Sequence, residues 1–259
     1  MTFQTLEIDI RDRIATVWMN RPDVHNAFDE TLIRELTEAF AQLGRDPNAR
    51  VIVLAGRGKS FSAGADLNWM KRAASYSVEE NLRDARGLAA MLNALHRLPK
   101  PTVARVHGAA LGGGVGLVAA CDIAIASTDA SFGMTEVKLG LIPSVISPYV
   151  IAAIGRRAAH RYFLTAERFG AAEAHRLGLA HAVCAPDALD ADVAQIVAAL
   201  LGGGPGAQAT SKDLIAAVVG KPIDAAIMEE TAKRIAAARA TVEAKEGIAA
   251  FLEKRKPRW

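Results

Sequence analysis

Two short segments of small residues are the first candidates for chemistry in this chain of 259 residues. The segment Phe61–Leu67 follows the apolar run Val51–Ala55, and the segment Ala110–Leu117 follows the run Thr102–Val106. Small side chains let backbone N–H groups approach a ligand, and a helix N-terminus directs partial positive charge to the same place. Two such turns on neighbouring strands could direct two N–H groups at one carbonyl oxygen, which is an oxyanion hole.

Each segment also has a plainer explanation. Glycine and alanine between a strand and a helix allow the two elements to pack tightly, with no ligand involved. Considered singly, either segment fits both explanations, so the choice depends on the rest of the chain.

The elements that would position these turns alternate between strands and helices. Leu6–Ile10 and Ile14–Trp18 predict a hairpin, and apolar residues at helical spacing from Leu32 to Leu43 predict a helix that stops at Gly44. Three apolar runs predict buried strands, namely Val51–Ala55, Thr102–Val106 and Asp122–Ala126.

Helices dominate the remaining predictions. Ser77 and Glu80 form a capping box for a long helix that ends near Leu98. From about Val145 the pattern becomes mostly helical, with predicted helices at Val145–Ile154, Ala158–Leu164, Ala171–Leu177, Asp187–Leu201, Ser211–Val219 and Ile223–Phe251. We therefore expect an α/β core with a helical C-terminal extension.

Composition excludes several classes of protein. The net charge of +3 is too small for a nucleic-acid-binding protein, although it suits a small anionic ligand. Cys121 and Cys184 have no CxxC partner and no histidine at metal spacing, so we predict neither a metal site nor a disulfide scaffold. No targeting segment is apparent, and proline, serine or glycine interrupts the longest charge-free runs. We expect a cytoplasmic protein that binds neither membranes nor nucleic acid.

Further motifs occur in a fixed order along the chain. They are Asn20–Pro22, His25–Phe28, Phe61–Leu67, Gly108–Gly114, Cys121–Ala124, Phe132–Gly133 with Glu136, Gly140–Pro143, and the closing stretch from Glu246 to Pro257. With these motifs the chain resembles the crotonase (enoyl-CoA hydratase/isomerase) superfamily over essentially its whole length.

The resemblance implies a fold, an assembly and a substrate class. The fold would be a crotonase-like α/β spiral of ββα units over residues 1–195, with a helical trimerisation region over residues 196–259. The chain would associate into trimers or hexamers. It would bind acyl-CoA thioesters and need no cofactor, because CoA is part of the substrate.

The resemblance also implies site residues. Backbone N–H groups of Ala65 and Gly113 would form the oxyanion hole, and Glu136 would act as acid and base. Substrate and CoA contacts would come from His25, Ala27, Ala63, Asp66, Leu67, Gly112, Gly116, Phe251 and Lys254. Three of these roles have alternatives. Asp66 could be only a helix cap, with its backbone N–H as the more functional part, Lys254 could be a solvated tail charge, and Glu136 could be a surface glutamate.

One position departs from the family pattern. Hydratases of this superfamily usually carry a second glutamate, and Gly116 occupies that position here. The glycine-rich stretch usual after Pro143 is also altered, to Ser144–Tyr149. The segments around Gly116 are similar to a bacterial branch that includes methylglutaconyl-CoA hydratases of leucine breakdown. We therefore hypothesise that a second carboxylate of the substrate, or a water it holds, occupies the space left at Gly116.

These features predict a hydratase that adds water to a 2-enoyl-CoA, such as 3-methylglutaconyl-CoA. Two alternatives stay open. A single carboxylate suffices for a 1,3-proton shift, so a Δ3,Δ2-enoyl-CoA isomerase is one rival. A non-catalytic acyl-CoA-binding protein with the same fold is the other, favoured by Gly116 and opposed by the retained Glu136.

Overall fold

Two sheets organise the fold in a computed structural model that describes residues 3–259. In spatial order, the strands of the larger sheet are β1 (Leu6–Arg11), β2 (Ile14–Met19), β3 (Val51–Gly56), β5 (Thr102–Val106), β7 (Ile123–Ser127) and β10 (Ala182–Cys184). The strands of the smaller sheet are β4 (Ser60–Ser62), β6 (Ala109–Leu111), β8 (Ser131–Gly133) and β9 (Phe169–Gly170). The predicted hairpin is the antiparallel pair β1–β2, and the other neighbours in the larger sheet are parallel.

Helices follow the strands in chain order. They are α1 (Glu30–Arg45), α2 (Leu67–Ala73), α3 (Val78–His96), α4 (Gly113–Ala120), α5 (Ser147–Thr165), α6 (Ala171–Leu177), α7 (Leu189–Gly202), α8 (Pro205–Val218), α9 (Ala225–Ala240) and α10 (Val242–Leu252). Among the described residues, none of the helices combines the length and the apolar character that crossing a bilayer requires.

A repeated unit connects the two sheets. A long strand of the larger sheet leads into a short strand of the smaller sheet, and a helix follows, as in β3–β4–α2, β5–β6–α4 and β7–β8–α5. This arrangement confirms the expected crotonase-like spiral of ββα units. Since β4 pairs with β6 and β6 pairs with β8, the turns after these short strands meet on one side of the molecule.

The apolar runs became strands because both faces of the sheet are covered. All six residues of β3 are buried. Ile52 and Leu54 belong to the main core, whereas Val51 and Val53 pack with Val193 of α7 in a second cluster on the other face. A parallel strand covered on both sides needs apolar residues at every position, which explains why its sequence does not alternate.

Two local predictions are confirmed by hydrogen bonds and helix geometry. The Ser77 hydroxyl accepts from the backbone N–H of Glu80 at 3.2 Å, and the Glu80 carboxylate accepts from the N–H of Ser77 at 2.8 Å. Both halves of the capping box are therefore present. The gap predicted between Ile154 and Ala158 corresponds to a break within α5 at Gly155, where φ is 74° and ψ is 158°.

Several predicted boundaries are wrong, and the largest error at a helix start is in α8, which begins at Pro205 and not at Ser211. The first helix does not stop at Gly44, because Gly44 keeps a helical conformation and α1 ends one residue later, at Arg45. The predicted helix Ile223–Phe251 is two helices, α9 and α10. Thr241 separates them with an extended backbone, ψ 155°, and its hydroxyl accepts from the N–H of Ala244 to cap α10.

Candidate active site

The turn between β6 and α4 presents an unused backbone donor. Gly112, the residue before α4, has φ 50° and ψ −117°, a conformation that glycine adopts without strain. Gly113 is the first residue of α4, so its N–H has no acceptor within the helix. Among the described residues, no other backbone carbonyl or side chain accepts from this N–H. The N-terminus of α4 therefore offers a free donor at the end of a helix dipole.

The turn between β4 and α2 presents a second donor. Phe28 donates its N–H to the carbonyl of Gly64 at 2.6 Å, and Asp66 donates its N–H to the carbonyl of Phe28 at 2.8 Å. The exposed Ala65 lies between these two bonds, and within residues 3–259 its own N–H has no acceptor. Pairing with Phe28 thus fixes the backbone of the turn and leaves the N–H of Ala65 free.

The two turns lie directly against each other. Gly64 has φ 87°, and a Cβ placed on it would lie 2.9 Å from the carbonyl oxygen of Leu111 and 3.7 Å from the Cα of Gly112. Only glycine allows so close an approach in this conformation. The small residues therefore serve tight packing and leave donors free at the same time, so the two explanations from the sequence are compatible.

The smaller sheet positions Glu136 beside these two turns. Gly112 donates its N–H to the carbonyl of Gly133 at 2.8 Å, which fixes the end of β8 beside the α4 turn. Glu136 follows three residues later, at the start of a 3₁₀ turn. A Cβ placed on Gly112 would lie 3.2 Å from Oε1 of Glu136, so the carboxyl group faces the same turn as the free donors.

The environment of Glu136 is that of an acid or base rather than of a surface glutamate. Its Oε2 is buried and has no hydrogen-bond partner among the described residues. Burial raises the pKa of the Glu136 carboxyl above its usual range, against a smaller lowering effect of its own backbone N–H. A desolvated, unpartnered carboxyl with a raised pKa is suited to exchange a proton with a substrate.

The loop His25–Phe28 has an unusual backbone held by a buried amide. His25 and Asn26 both have positive φ, 53° and 54°. The Asn26 side chain accepts from the N–H of Arg21 and donates to the carbonyls of Arg57 and Ser60, each at 2.8 Å. Asn26 is fully buried and satisfied, and asparagine tolerates this backbone better than most residues. The sequence showed Asn26 only as part of a motif.

Arg21 links this loop to the α2 turn, which the sequence did not predict. Its guanidinium donates to the carbonyl of Ala27 and pairs with Asp29 at 2.9 Å and Asp66 at 3.1 Å. Three attachments to one half-buried guanidinium fix the relative position of the two segments. The signal was present as the motif Asn20–Pro22, but nothing in the spacing assigned the arginine a partner.

Asp66 has a structural side chain, and the functional role expected for its N–H is wrong. Its carboxylate caps α2 by accepting from the N–H groups of Asn68 at 2.8 Å and Trp69 at 3.2 Å. Although burial opposes ionisation, these bonds and Arg21 hold the pKa of Asp66 below its usual range. Its backbone N–H is already bonded to Phe28 and so is not available to a ligand.

The space expected at Gly116 is filled, which corrects the hypothesis that a substrate carboxylate or water occupies it. Gly116 is buried, and a Cβ placed on it would lie 2.3 Å from Cγ2 and 2.9 Å from Cβ of Ile146. No ligand group can share that volume with the isoleucine side chain.

The remaining candidates differ in exposure. Leu67 is 74% exposed at the start of α2, and the exposed ring of His25 approaches the hydroxyl of Ser60 at 3.0 Å through Nδ1. Ala63 is partly buried and donates its N–H to the carbonyl of His25. Phe251, 82% exposed, and Lys254 lie at the end of α10, far along the chain from the other candidates. No group of His, Cys, Asp or Glu in residues 3–259 could hold a metal ion.

Comparisons with known proteins identify the family of the chain. A family profile described as Enoyl-CoA hydratase/isomerase matches residues 9–259. The crystal structure of an enoyl-CoA hydratase from Shewanella pealeana superposes with a TM-score of 0.97, at 44% identity over 99% of this chain and 96% of that one. A crotonyl-CoA hydratase of Syntrophomonas wolfei is 32% identical over 99% of this chain and 98% of its own length. An (E)-benzylidenesuccinyl-CoA hydratase of Thauera aromatica is 35% identical over 96% of both.

Proposed function

The chain belongs to the enoyl-CoA hydratase/isomerase family, and from this premise we propose that it is a hydro-lyase that adds water to a 2-enoyl-CoA. The observation that carries the proposal is the carboxyl group of Glu136, which is unpartnered at Oε2 and faces Gly112, the residue before the free N–H of Gly113. An acid or base next to an oxyanion donor is what proton transfer at the α-carbon of a thioester requires.

The proposed reaction uses two groups of atoms. The thioester oxygen accepts hydrogen bonds from the N–H groups of Ala65 and Gly113, which draw electron density from the double bond and stabilise the enolate. Glu136 takes a proton from water while the water oxygen forms a bond to Cβ. The protonated Glu136 then delivers that proton to Cα, so one O–H bond of water and the C=C π bond are broken, and one C–O and one C–H bond are formed.

We assign the CoA part of the substrate to the loops that lead into this centre. His25, Ala27, Ala63 and Leu67 would line the path of pantetheine and adenine, and the exposure of His25 and Leu67 supports this assignment. Phe251 and Lys254 would contact the CoA nucleotide, with Lys254 facing a phosphate. Both side chains are exposed, and the Lys254 ammonium makes no ion pair among the described residues.

For the acyl group we propose a chain with a second carboxylate, such as 3-methylglutaconyl-CoA. Support comes from the resemblance of the segments around Gly116 to methylglutaconyl-CoA hydratases. It also comes from the relative whose name, (E)-benzylidenesuccinyl-CoA hydratase, denotes a thioester of a dicarboxylic acid. Since Ile146 fills the space at Gly116, the second carboxylate must lie elsewhere in the acyl site.

A Δ3,Δ2-enoyl-CoA isomerase is the second candidate. It is favoured by the presence of one carboxyl group, Glu136, at the turn where the free donors meet. An isomerase needs one base that removes a proton and returns it two carbons away, and it needs no oriented water.

We also propose that residues 196–259 mediate self-association into a trimer or hexamer. The supporting observation is the exposure of large apolar side chains in this region, including Val219 at 70%, Ile223 at 92% and Val242 at 83%. Apolar surface of this extent on one region is typical of an interface.

A panel of CoA esters tests the function. We expect turnover of 2-enoyl-CoA esters, measured by loss of the conjugated thioester absorbance, with 3-methylglutaconyl-CoA turned over faster than crotonyl-CoA. Equal or faster turnover of crotonyl-CoA would contradict the carboxylated substrate. Turnover of a 3-enoyl-CoA without hydration would favour the isomerase, and binding without any turnover would favour the non-catalytic alternative.

A further inference from the structure

Two glycines at the start of α4 contact different parts of the chain, Gly112 just before the helix and Gly116 within it. Gly112 and Gly116 are four residues apart, and Gly116 donates its N–H to the carbonyl of Gly112 at 3.3 Å. Position 112 faces the carboxyl of Glu136, and position 116, one turn further along, faces Ile146.

Ile146 is held in place by its backbone as well as by its side chain. It is 3% exposed, and its carbonyl accepts from the N–H groups of Tyr149 and Val150, both at 3.1 Å, where α5 begins. A Cβ at position 116 would lie 2.9 Å from the Cβ of Ile146, so the clash involves the root of the isoleucine side chain and not only its methyl groups. Because isoleucine is β-branched and stiff at χ1, rotation of the side chain cannot clear this contact.

The segment that carries Glu136 also carries Ile146. The N–H of Leu141 donates to the carbonyl of Glu136 at 3.1 Å and closes the turn after the acid, and the chain then returns to α4 at Ile146. One continuous segment thus places a carboxyl group against Gly112 and an apolar side chain against Gly116.

We propose that Ile146 restricts the reaction centre to one acid/base group, because it occupies the volume that a second carboxylate side chain at position 116 would need. The inference rests on the proposed hydratase function and goes beyond it. Ile146 touches no reacting atom in this scheme and is not a catalytic residue. It acts by excluding a second ionisable group and water from this part of α4, so that Glu136 alone takes the proton from water and returns it to Cα.

Thermal unfolding tests the packing independently of activity. Gly116→Ala should lower the melting temperature by about 5 °C, since overpacking in a core of this size has that effect. Ile146→Ala should also lower it by leaving a cavity, and the variant with both changes should lose less than the sum of the two single losses, because each change relieves the strain of the other. Gly170→Ala is the matched control, because nothing lies within 4 Å of a Cβ at Gly170, and it should change little. Equal melting temperatures for Gly116→Ala and the control would overturn the inference.

Kinetics test the consequence for the reaction. When kcat/KM of the unaltered protein is measured against pH, its acidic limb should show one ionisation, that of Glu136. Gly116→Glu alone should lose at least tenfold in turnover. Gly116→Glu with Ile146→Ala should regain turnover and show a second ionisation in the profile. If Gly116→Glu alone has the stability and the two-ionisation profile of the double variant, Ile146 is not the restricting residue.

The two proposals fail in different ways. If the unaltered protein turns over no enoyl-CoA, the hydratase function is wrong, and the inference about its acid/base group is wrong with it. If the unaltered protein is an active hydratase but Gly116→Glu with Ile146→Ala shows a single ionisation, the function stands and the inference about Ile146 is wrong.

Discussion

The first turn of α4 and the three C-terminal helices are opposite extremes of packing in this molecule. In α4, a Cβ placed on Gly113, Gly114 or Gly116 would lie 2.5 Å or less from a neighbouring heavy atom. In α8 and α9 no residue is buried, and in α10 only Ala250 is. A cavity of about 780 Å³ lies between these last helices and Trp259.

The difference indicates what each region needs from its surroundings. The α4 turn obtains its geometry from neighbours in the same chain, because Phe28, Ser62, Glu136 and Ile146 cover its glycines. The C-terminal helices have apolar side chains that the same chain does not cover. The first region is therefore expected to tolerate almost no change, and the second to respond mainly through ligand binding and assembly.

The largest effect should come from Glu136→Gln. The amide keeps the size of the side chain but cannot take a proton from water, so kcat should fall by about 1000-fold. Binding of a CoA ester, measured by calorimetry, should be nearly unchanged because the carboxyl group does not hold the CoA. Near-normal turnover of this variant would remove Glu136 from the reaction.

The next largest effect should come from Gly113→Ala. A Cβ at this position would lie 2.2 Å from Cε2 of Phe28, which is buried, so unfolding free energy should fall by about 1–3 kcal/mol and turnover should fall with it. Gly202→Ala is the control at the edge of the C-terminal region, since nothing lies within 4 Å of its Cβ position. Urea denaturation should show no loss of stability for the control. A similar loss in both variants would break the comparison between the regions.

A smaller effect should come from Phe251→Ala and Lys254→Ala. Both side chains are exposed, so stability should change by less than about 0.5 kcal/mol. If Lys254 faces a CoA phosphate, KM should rise about threefold to fivefold, and the rise should shrink at high salt because exposed charge pairs are weak and screened. Unchanged KM at low salt would identify Lys254 as a solvated tail charge.

The smallest effect concerns the stability of Glu136→Gln. Because burial raises the pKa of Glu136 in the fold, the protonated group stabilises the protein at low pH, and this contribution is lost as pH rises through the raised pKa. Above the raised pKa the native protein holds an unfavourable buried charge, which glutamine lacks. The variant should melt a few degrees higher than the native protein at pH 7. The difference should vanish when the pH falls below the usual pKa range of glutamate. A lower melting temperature at pH 7 would contradict the desolvated carboxyl.

Much of the fold and part of the site could be predicted from sequence, for identifiable reasons. The strand β5 and the helix α6 have the predicted bounds, Thr102–Val106 and Ala171–Leu177, because local pattern and burial agree there. The smaller sheet was missed, since its strands have only two or three residues, too few for any periodicity. The break at Thr241 was missed because apolar residues continue on both sides of it.

The site shows the same limit. Glu136 and the two glycine-rich turns are visible as motifs, because the chemistry depends on residue type. The contact between Gly116 and Ile146 joins residues that are distant in the sequence. No spacing rule indicates which side chain occupies the space of an absent glutamate. The sequence showed that a glutamate was absent but could not show that its space was closed. The attachments of Arg21 to Asp29 and Asp66 were hidden for the same reason.

The parallel register of the larger sheet has a kinetic consequence. Ile14 pairs with Val51 and Ile52 pairs with Thr102, so neighbouring strands come from distant parts of the chain. Pairing at such sequence separation requires closing long loops, which slows folding. The donor turns and Glu136 meet only after these strands have joined, and a nascent chain shorter than about 146 residues lacks Ile146 altogether. In refolding from urea, enzymatic activity should therefore return with the slowest phase, after most of the helical signal has recovered.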